Sequence, residues 1–258
     1  MQLVAAAKMK KAQDQALAGR EYSKQLNGVL QDISESFSDA THGLLEKRSG
    51  NRELVLIIST DKGLCGAINT NLAKTIRKNT SATADYVTVG RKLRIMMEKL
   101  GRKVVADFSV KDPVLFSDAR AIASLISKQF IDGNYDKVTV AYTRFINTMS
   151  QVPEVMQLLP VEPPTNHGDA TNTSDFLFEP SPNDVLGAIL PLYVNFRVFQ
   201  ALVEARASEH SARMVAMKSA TDNAKKFIKE LTLDYNKLRQ GAITAELLEI
   251  TTAMKAME

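Results

Sequence analysis

The chain has 258 residues, of which 45% are hydrophobic, so it can form one large domain or two small ones with a buried core. Its 33 basic and 29 acidic residues give a net charge of only +4. No cluster of them reaches the density of a phosphate-binding surface, so we predict no nucleic-acid partner. The single cysteine, Cys65, excludes an internal disulfide. Without a run of about 18 consecutive apolar residues, we predict no membrane-spanning helix.

The N-terminal segment predicts a coiled-coil helix, to which we assign residues 1–50. Apolar and small residues recur at alternating intervals of four and three, which is the a/d spacing of a coiled coil. These seam positions are Ala5, Met9, Ala12, Ala16, Gly19, Ser23, Leu26, Leu30, Ile33 and Phe37. Because the side chains at the seam positions are small at the start of the helix and large at its end, we expect a partner helix to approach most closely near the N-terminus.

The middle of the chain, residues 51–165, changes to an alternation of strands and helices. ELVLIIST (Glu53–Thr60) is typical of a buried strand, and helical segments separate it from later strands. Lys137–Ile146 and Gln151–Leu159 are predicted to form a hairpin. This alternation favours a Rossmann-like α/β domain with a mostly parallel sheet. The next stretch is polar and rich in proline, so we assign residues 166–184 to a linker.

The C-terminal segment, residues 185–258, predicts a second long helix. All eight prolines lie between Pro113 and Pro191, so an uninterrupted helix could run from about Pro191 to the end of the given sequence. Its heptad positions are Met217, Ala224, Ile228, Leu231, Tyr235, Leu238, Ala242 and Ala245. A helix of about 60 residues would be on the order of 90 Å long, so it must protrude from a domain of this size. We therefore predict that the two terminal helices form an antiparallel coiled coil, with the α/β domain inserted between them.

The sequence DKGLCGAIN (Asp61–Asn69) follows the first predicted strand and precedes a helix. A glycine turn at such a junction binds phosphates in many open α/β sheets. The match is poor, because the sequence is neither G-x-G-x-x-G nor a Walker A motif. A structural turn is the favoured interpretation, and a nucleotide site and a partner-contact loop are the alternatives.

Cys65 lies in the same turn and is interpreted as a plain thiol. A catalytic cysteine needs a neighbouring base, and no motif links Cys65 to His42, His167 or His210. The histidines also lack metal-ligand spacing with one another and with Cys65. We therefore predict no catalytic residue, no metal site and no cofactor.

Two polar groups on the long helices have both a surface and a partner-binding interpretation. Lys8, Lys10 and Lys11 either face solvent or meet acidic groups on the wall of a surrounding cavity. RQGAITAELLE (Arg239–Glu249) places polar residues and Gly241 within the heptad run, as either a coiled-coil surface or a contact site. The sequence thus predicts a long helix that protrudes from a compact domain, and it does not indicate an enzyme.

Three motifs then carry a family resemblance. They are LVAAAKMKKAQ (Leu3–Gln13), STDKGLCGAINTNL (Ser59–Leu72) and the long stretch from ASEHSARM to GAIT (Ala207–Thr244). Over essentially its whole length the chain resembles the gamma subunit of F-type ATP synthase. The resemblance implies a non-catalytic central rotor shaft that rotates with the c-ring. It would drive the catalytic beta subunits through their conformations for proton-coupled ATP synthesis, or for ATP hydrolysis in reverse.

The resemblance also implies partners and a location. One copy of the chain would stand inside a ring of three alpha and three beta subunits. The epsilon subunit and the c-ring would lie at its base, and the membrane would be contacted only through the c-ring. The complex would be peripheral on the cytoplasmic face of the bacterial inner membrane, or alternatively on the matrix side of the mitochondrial inner membrane. Family members begin further upstream, so we expect the upper shaft of this chain to be a single helix.

The same resemblance assigns four groups of contact residues. The positions that meet loops of the beta subunit are Arg239, Gln240, Thr244 and Glu246. The loop beneath the acidic levers of the beta subunit consists of Asp61, Lys62, Gly63, Leu64 and Cys65. The basic shaft positions near those levers are Lys8, Lys10 and Lys11. The foot, which would face the c-ring and epsilon, consists of Phe176, Phe178 and Glu179.

Two rival interpretations predict different behaviour. A non-rotary coiled-coil scaffold would be a stable monomer or homodimer that does not bind alpha and beta subunits. A nucleotide-dependent enzyme that uses the Gly63–Gly66 turn would bind nucleotide as an isolated chain.

Overall fold

The computed structural model describes residues 2–36, 42–162 and 182–257. In this part of the chain, a five-stranded sheet and shorter helices lie between two long helices. In chain order the elements are α1 (Gln2–Ser36), β1 (Glu53–Ile58), α2 (Ile68–Asn79), β2 (Asp85–Val89), α3 (Arg91–Lys99), β3 (Val104–Phe108), α4 (Phe116–Ile131), β4 (Lys137–Phe145), β5 (Gln151–Leu159) and α5 (Pro182–Met257).

The strands form one mixed sheet in the order β3-β2-β1-β4-β5. β1 pairs in parallel with β2 and β4, and β2 pairs in parallel with β3. The predicted hairpin is confirmed, because β5 runs antiparallel to β4. All six residues of β1 are buried, as expected for a central strand with both faces covered.

The two faces of the sheet contribute to two separate apolar clusters. Leu54, Leu56 and Ile58 of β1 pack in the larger cluster with residues of α4 and α5. Val55 and Ile57 pack in the smaller cluster with residues of α2 and α3. This division follows from strand geometry, because successive side chains point to opposite faces of a sheet.

The first long helix, α1, packs against the lower part of α5. The backbone oxygen of Ala16 accepts a hydrogen bond of 3.1 Å from Nε2 of Gln200. The rings of Tyr22 and Phe196 lie 4.5 Å apart. Residue numbers therefore rise along α1 as they fall along α5, so the helices are antiparallel. Of the predicted seam, the buried residues are Ala5, Ala12, Ala16, Gly19, Leu26 and Leu30. The side chain of Ile33 and all of Phe37 lie outside the described part.

The upper part of α5 has no covering in the described part of the chain. Residues 218–257 are exposed, apart from the half-exposed Asn236. The predicted seam residues Leu231 and Leu238 are 67% and 74% exposed. The expectation that the upper shaft is a single helix therefore agrees with the described residues, and the predicted pairing of the two long helices is limited to the part of α5 below Lys218. The bare helix is about 60 Å long at about 1.5 Å per residue.

The start of α5 also differs from the prediction. The helix begins at Pro182 and contains Pro191, near which the sequence favoured its beginning. A proline inside a helix costs about 3 kcal/mol. Leu190 and Val194 flank it and are fully buried, so packing against the sheet outweighs the local penalty.

This buried part makes α5 unusually apolar. The helix contains an 18-residue window with a mean hydropathy of 1.5, which by length and composition alone qualifies as a candidate membrane span. The sequence prediction identified no such candidate. In the structure, 44% of that window is buried within the protein.

Candidate functional site

The loop after β1 is a tight turn with one exposed apolar residue. Leu64 has a φ of 62° and Gly66 a φ of 64°, a left-handed region that is rare for residues other than glycine. This backbone turns the side chain of Leu64 outward, where it is 63% exposed, while Cys65 is only 2% exposed. Lys62 is exposed and Gly63 half-exposed. The loop thus exposes the side chains of Lys62 and Leu64.

Inside the loop, Cys65 belongs to a small hydrogen-bonded group. Nδ2 of Asn69 donates to Oγ1 of Thr60 at 2.8 Å, and that hydroxyl donates to the carbonyl of Lys62 at 2.9 Å. Sγ of Cys65 lies 3.7 Å from Nδ2 of Asn69. Within the described ranges no histidine bonds to Cys65. The group therefore holds the turn, and it lacks the base that a cysteine nucleophile requires.

The space beside this loop is too small for a nucleotide. The cavity at the carboxyl ends of β1 and β4 measures about 10 Å³, which is about the size of one water. Sites for small-molecule ligands measure roughly 300–1,000 Å³. Leu202, Arg206 and Glu209 of α5 line the cavity and fill the crevice where open α/β sheets bind ligands. This geometry does not favour the nucleotide interpretation of the loop. Elsewhere, residues 2–36, 42–162 and 182–257 contain no cluster of acidic, histidine or cysteine side chains that could hold a metal.

Asp61 is turned inward, toward α5. Its Oδ2 lies 3.4 Å from Nη2 of Arg206, which also donates to the carbonyl of Val110 at 2.7 Å. Nη1 of Arg206 donates to Oε2 of Glu209 at 2.7 Å. Burial opposes the charge of Arg206, but Glu209 and Asp61 outweigh burial and raise the pKa of its guanidinium. Arg206 is therefore a permanent cation between the loop and the helix.

A second charged group joins both long helices. Oδ2 of Asp112 lies 2.9 Å from Nζ of Lys8 in α1 and 3.1 Å from Nε2 of His210 in α5. Burial acts to raise the pKa of Asp112, but Lys8 and His210 outweigh burial and lower it. Lys8 thus has a partner within the chain. Lys10 and Lys11 are exposed, and no ion pair involving them is found in the described part.

The buried histidine predicts a pH-dependent stability. Burial, helped by the positive charge of Arg213, lowers the pKa of His210, and together they outweigh the carboxylates of Glu209 and Asp112, which raise it. Below the ordinary histidine pKa of about 6.5, the unfolded chain binds a proton that the folded chain does not. The free energy of unfolding should therefore fall as the pH drops from 6.5 toward the lowered pKa. Protonation of Asp112, whose pKa is also lowered, adds to this loss at more acidic pH.

Chemical unfolding at pH 7.5, 6.5, 5.5 and 5.0 would measure this slope. His210→Gln should flatten it, while His42→Gln, outside the charged group, should leave it unchanged. An equal slope for wild type and His210→Gln would contradict the assignment of the slope to His210.

The predicted beta-contact positions lie far up the bare helix. Arg239, Gln240, Thr244 and Glu246 are all exposed. The hydroxyl of Thr244 donates to the carbonyl of Gln240 at 2.9 Å. Relative to Lys218, these residues stand about 30–40 Å further along the axis at about 1.5 Å per residue. They are therefore separate from the loop and the lysines at the base. Phe176, Phe178 and Glu179 lie outside the described residues.

Sequence reasoning did not identify Asp112, Arg206 or Glu209 as site residues, and it assigned no role to His210. The polar run from Glu204 to Arg213, after an apolar helix segment, was the available signal. Nothing local connects that run with Asp112, which lies 98 residues before its partner His210.

Comparisons with known proteins find similar sequences over essentially the whole length of the chain. A family model described as ATP synthase matches residues 1–257. The ATP synthase gamma chain of Akkermansia muciniphila is 47% identical, with 100% of this chain and 92% of the relative covered. The ATP synthase gamma chain of Opitutus terrae is 42% identical, with 99% of this chain and 91% of the relative covered. The central stalk and c-ring structure of Tetrahymena thermophila mitochondrial ATP synthase matches with a TM-score of 0.64 and 26% identity, covering 86% of this chain and 97% of that one. This chain therefore belongs to the ATP synthase gamma-chain family.

Proposed function

We propose that this chain is the central stalk of an F-type ATP synthase, a non-catalytic rotor subunit whose rotation drives the catalytic beta subunits. The gamma-chain relatives and the central-stalk structure support this function. The bare part of α5 forms the shaft inside the ring of alpha and beta subunits. The α/β domain lies outside the ring at the base and links the shaft to the rotating c-ring.

The bare helix is the observation that carries the proposal. A single helix gains most of its stability in proteins from packing of an apolar face. Here Phe227, Ile228, Leu231 and Leu238 are each more than 60% exposed, and further apolar residues continue to Met257. Exposed apolar surface of this extent marks an interaction site. A surrounding sleeve of subunits would cover this surface without stopping rotation of the helix.

The proposed contacts with the alpha and beta subunits lie at two levels of the shaft. The upper level consists of Arg239, Gln240, Thr244 and Glu246. The lower level consists of Lys8, Lys10, Lys11, Asp61, Lys62, Gly63, Leu64 and Cys65. At the lower level, exposed Lys10, Lys11 and Lys62 would meet acidic groups of the beta subunits directly. Cys65 is buried and Asp61 is paired with Arg206, so both would act by shaping the loop.

Further parts of the proposal concern architecture and assembly. We assign the antiparallel pair formed by α1 and the lower part of α5 to a coiled coil and the middle of the chain to a Rossmann-like domain. The proposed boundaries are 1–50, 51–165, 166–184 and 185–258. Phe176, Phe178 and Glu179 form the foot that contacts epsilon and the c-ring. One copy serves each complex, on the cytoplasmic face of a bacterial inner membrane. The bacterial relatives support this location over the mitochondrial one.

Reconstitution tests the function. We expect the chain to assemble with three alpha and three beta subunits into a complex with ATPase activity, measured by native mass spectrometry and ATP hydrolysis. The isolated chain should show neither hydrolysis nor nucleotide binding in calorimetry. A chain that remains a monomer or homodimer in the presence of alpha and beta would instead support the scaffold interpretation.

A further inference from the structure

We propose that Arg206 and Asp112 are positioning residues for rotary coupling, because they clamp α5 at the level where the bare helix leaves the domain. This level, which we call the neck, consists of Asp61, Asp112, Arg206, Glu209 and His210. The inference rests on the proposed rotor function and assigns a mechanical role to Arg206 and Asp112, which are not among the proposed subunit contacts.

Arg206 connects α5 with two loops of the domain. Its Nη2 group reaches Asp61 in the loop after β1 and the carbonyl of Val110 in the loop after β3. Its Nη1 group bonds to Glu209, which also accepts from Nη2 of Arg213 at 2.7 Å. A guanidinium is planar and presents its donors in a rigid fork. These bonds therefore fix the rotational setting of α5 about its own axis relative to both loops.

Asp112 supplies the second arm of the clamp. One carboxylate oxygen bonds to both Lys8 and His210, so the loop after β3 is tied to the two long helices at once. Lys8 and His210 belong to α1 and α5, which run in opposite directions. A tilt of α5 away from α1 would therefore break a charged hydrogen bond, which is about twice as strong as a neutral one.

The neck needs these directional bonds because its apolar contacts are shallow. Below it, α5 is held by large buried side chains such as Val198 and Leu202. At the neck, the fully buried residues of α5 are the small Ala207, Ser208 and Ser211. Small side chains interlock little with their neighbours, and the hydrophobic effect is not directional. From Lys218 onward the helix has no support within the described chain. Torque between the domain and the bare helix must therefore pass through the neck.

The test compares proton pumping with ATP hydrolysis in the complete ATP synthase in inverted membrane vesicles. Arg206→Gln should retain most of the hydrolysis but reduce the ratio of protons pumped to ATP hydrolysed at least threefold. Arg206→Lys, which keeps the charge without the fork, should give an intermediate ratio. Asp112→Asn should lower the ratio in the same direction. Arg94→Gln is the matched control, because Arg94 forms an ion pair of 3.2 Å with Asp107 and neither residue belongs to the neck. Its ratio of protons pumped to ATP hydrolysed should equal that of wild type.

Each outcome decides the proposal. A merely structural role would lower the amount of assembled complex, so pumping and hydrolysis would fall together and their ratio would stay constant. An unchanged ratio in Arg206→Gln and Asp112→Asn overturns the clamp. Failure of both variants to assemble would also overturn it, because the neck would then serve folding alone. If the wild-type chain itself gave no ATPase complex, the rotor function would fail instead.

Discussion

Lys225→Pro is expected to reduce ATP synthesis by the assembled complex at least about tenfold, because a proline inside a helix costs about 3 kcal/mol and bends it. Lys225 lies on the bare part of α5, where every neighbour is exposed. The substitution should therefore leave the unfolding of the α/β domain almost unchanged, within about 0.5 kcal/mol. ATP synthesis in energised vesicles and thermal unfolding of the free chain are the two measurements.

Lys225→Ala is the control for this prediction. It removes the same charge but places the best helix former at the position, so ATP synthesis should stay near the wild-type rate. Wild-type synthesis by Lys225→Pro would show that the shaft need not be a continuous helix. A strong loss of domain stability would show that the helix contributes to the core after all.

Phe130→Ala should lower the free energy of unfolding by about 3–5 kcal/mol, which is typical of a large-to-small change at a buried aromatic residue. Phe130 is fully buried at the C-terminal end of α4. The guanidinium of Arg48 lies 4.8 Å from its ring centre and would lose a cation–π contact as well. Natural domains have only about 5–15 kcal/mol of stability, so we also expect less assembled complex. Urea unfolding would measure the difference.

The neighbouring position supplies a control. Ile131 is 52% exposed, so Ile131→Ala should change the free energy of unfolding by less than about 0.5 kcal/mol. Similar losses for the two variants would contradict the packing described for α4. If Phe130→Ala stayed within 1 kcal/mol of wild type, its neighbours must have collapsed into the space left by the ring.

The sheet could be predicted from the sequence because its signals are local. Glu53–Ile58 is an almost uninterrupted apolar run, and the structure makes it the central strand with every residue buried. The antiparallel hairpin of β4 and β5 follows from two strand-like runs separated by a short polar turn. The α1 seam was equally local, because Ala12, Ala16 and Leu26 lie at heptad spacing and are buried.

The charged neck could not be predicted, because it depends on tertiary placement. His210 and Asp112 are far apart in sequence and meet only after α5 folds back across the carboxyl edge of the sheet. The extension of α5 through Pro191 was missed for a related reason. Local propensity disfavours proline in a helix, and the burial that outweighs this preference appears only in the folded chain.

Rotation of a single assembled complex tests the account most directly. Cys65 is the only cysteine and is 2% exposed, so Lys78→Cys on the exposed surface of α2 provides a selective attachment site for a bead. With the alpha and beta subunits fixed to a surface, ATP should drive continuous rotation of the bead in one direction, and rotation should stop without ATP. ATP hydrolysis by complexes that contain the chain while the bead shows only Brownian motion would contradict the rotor function.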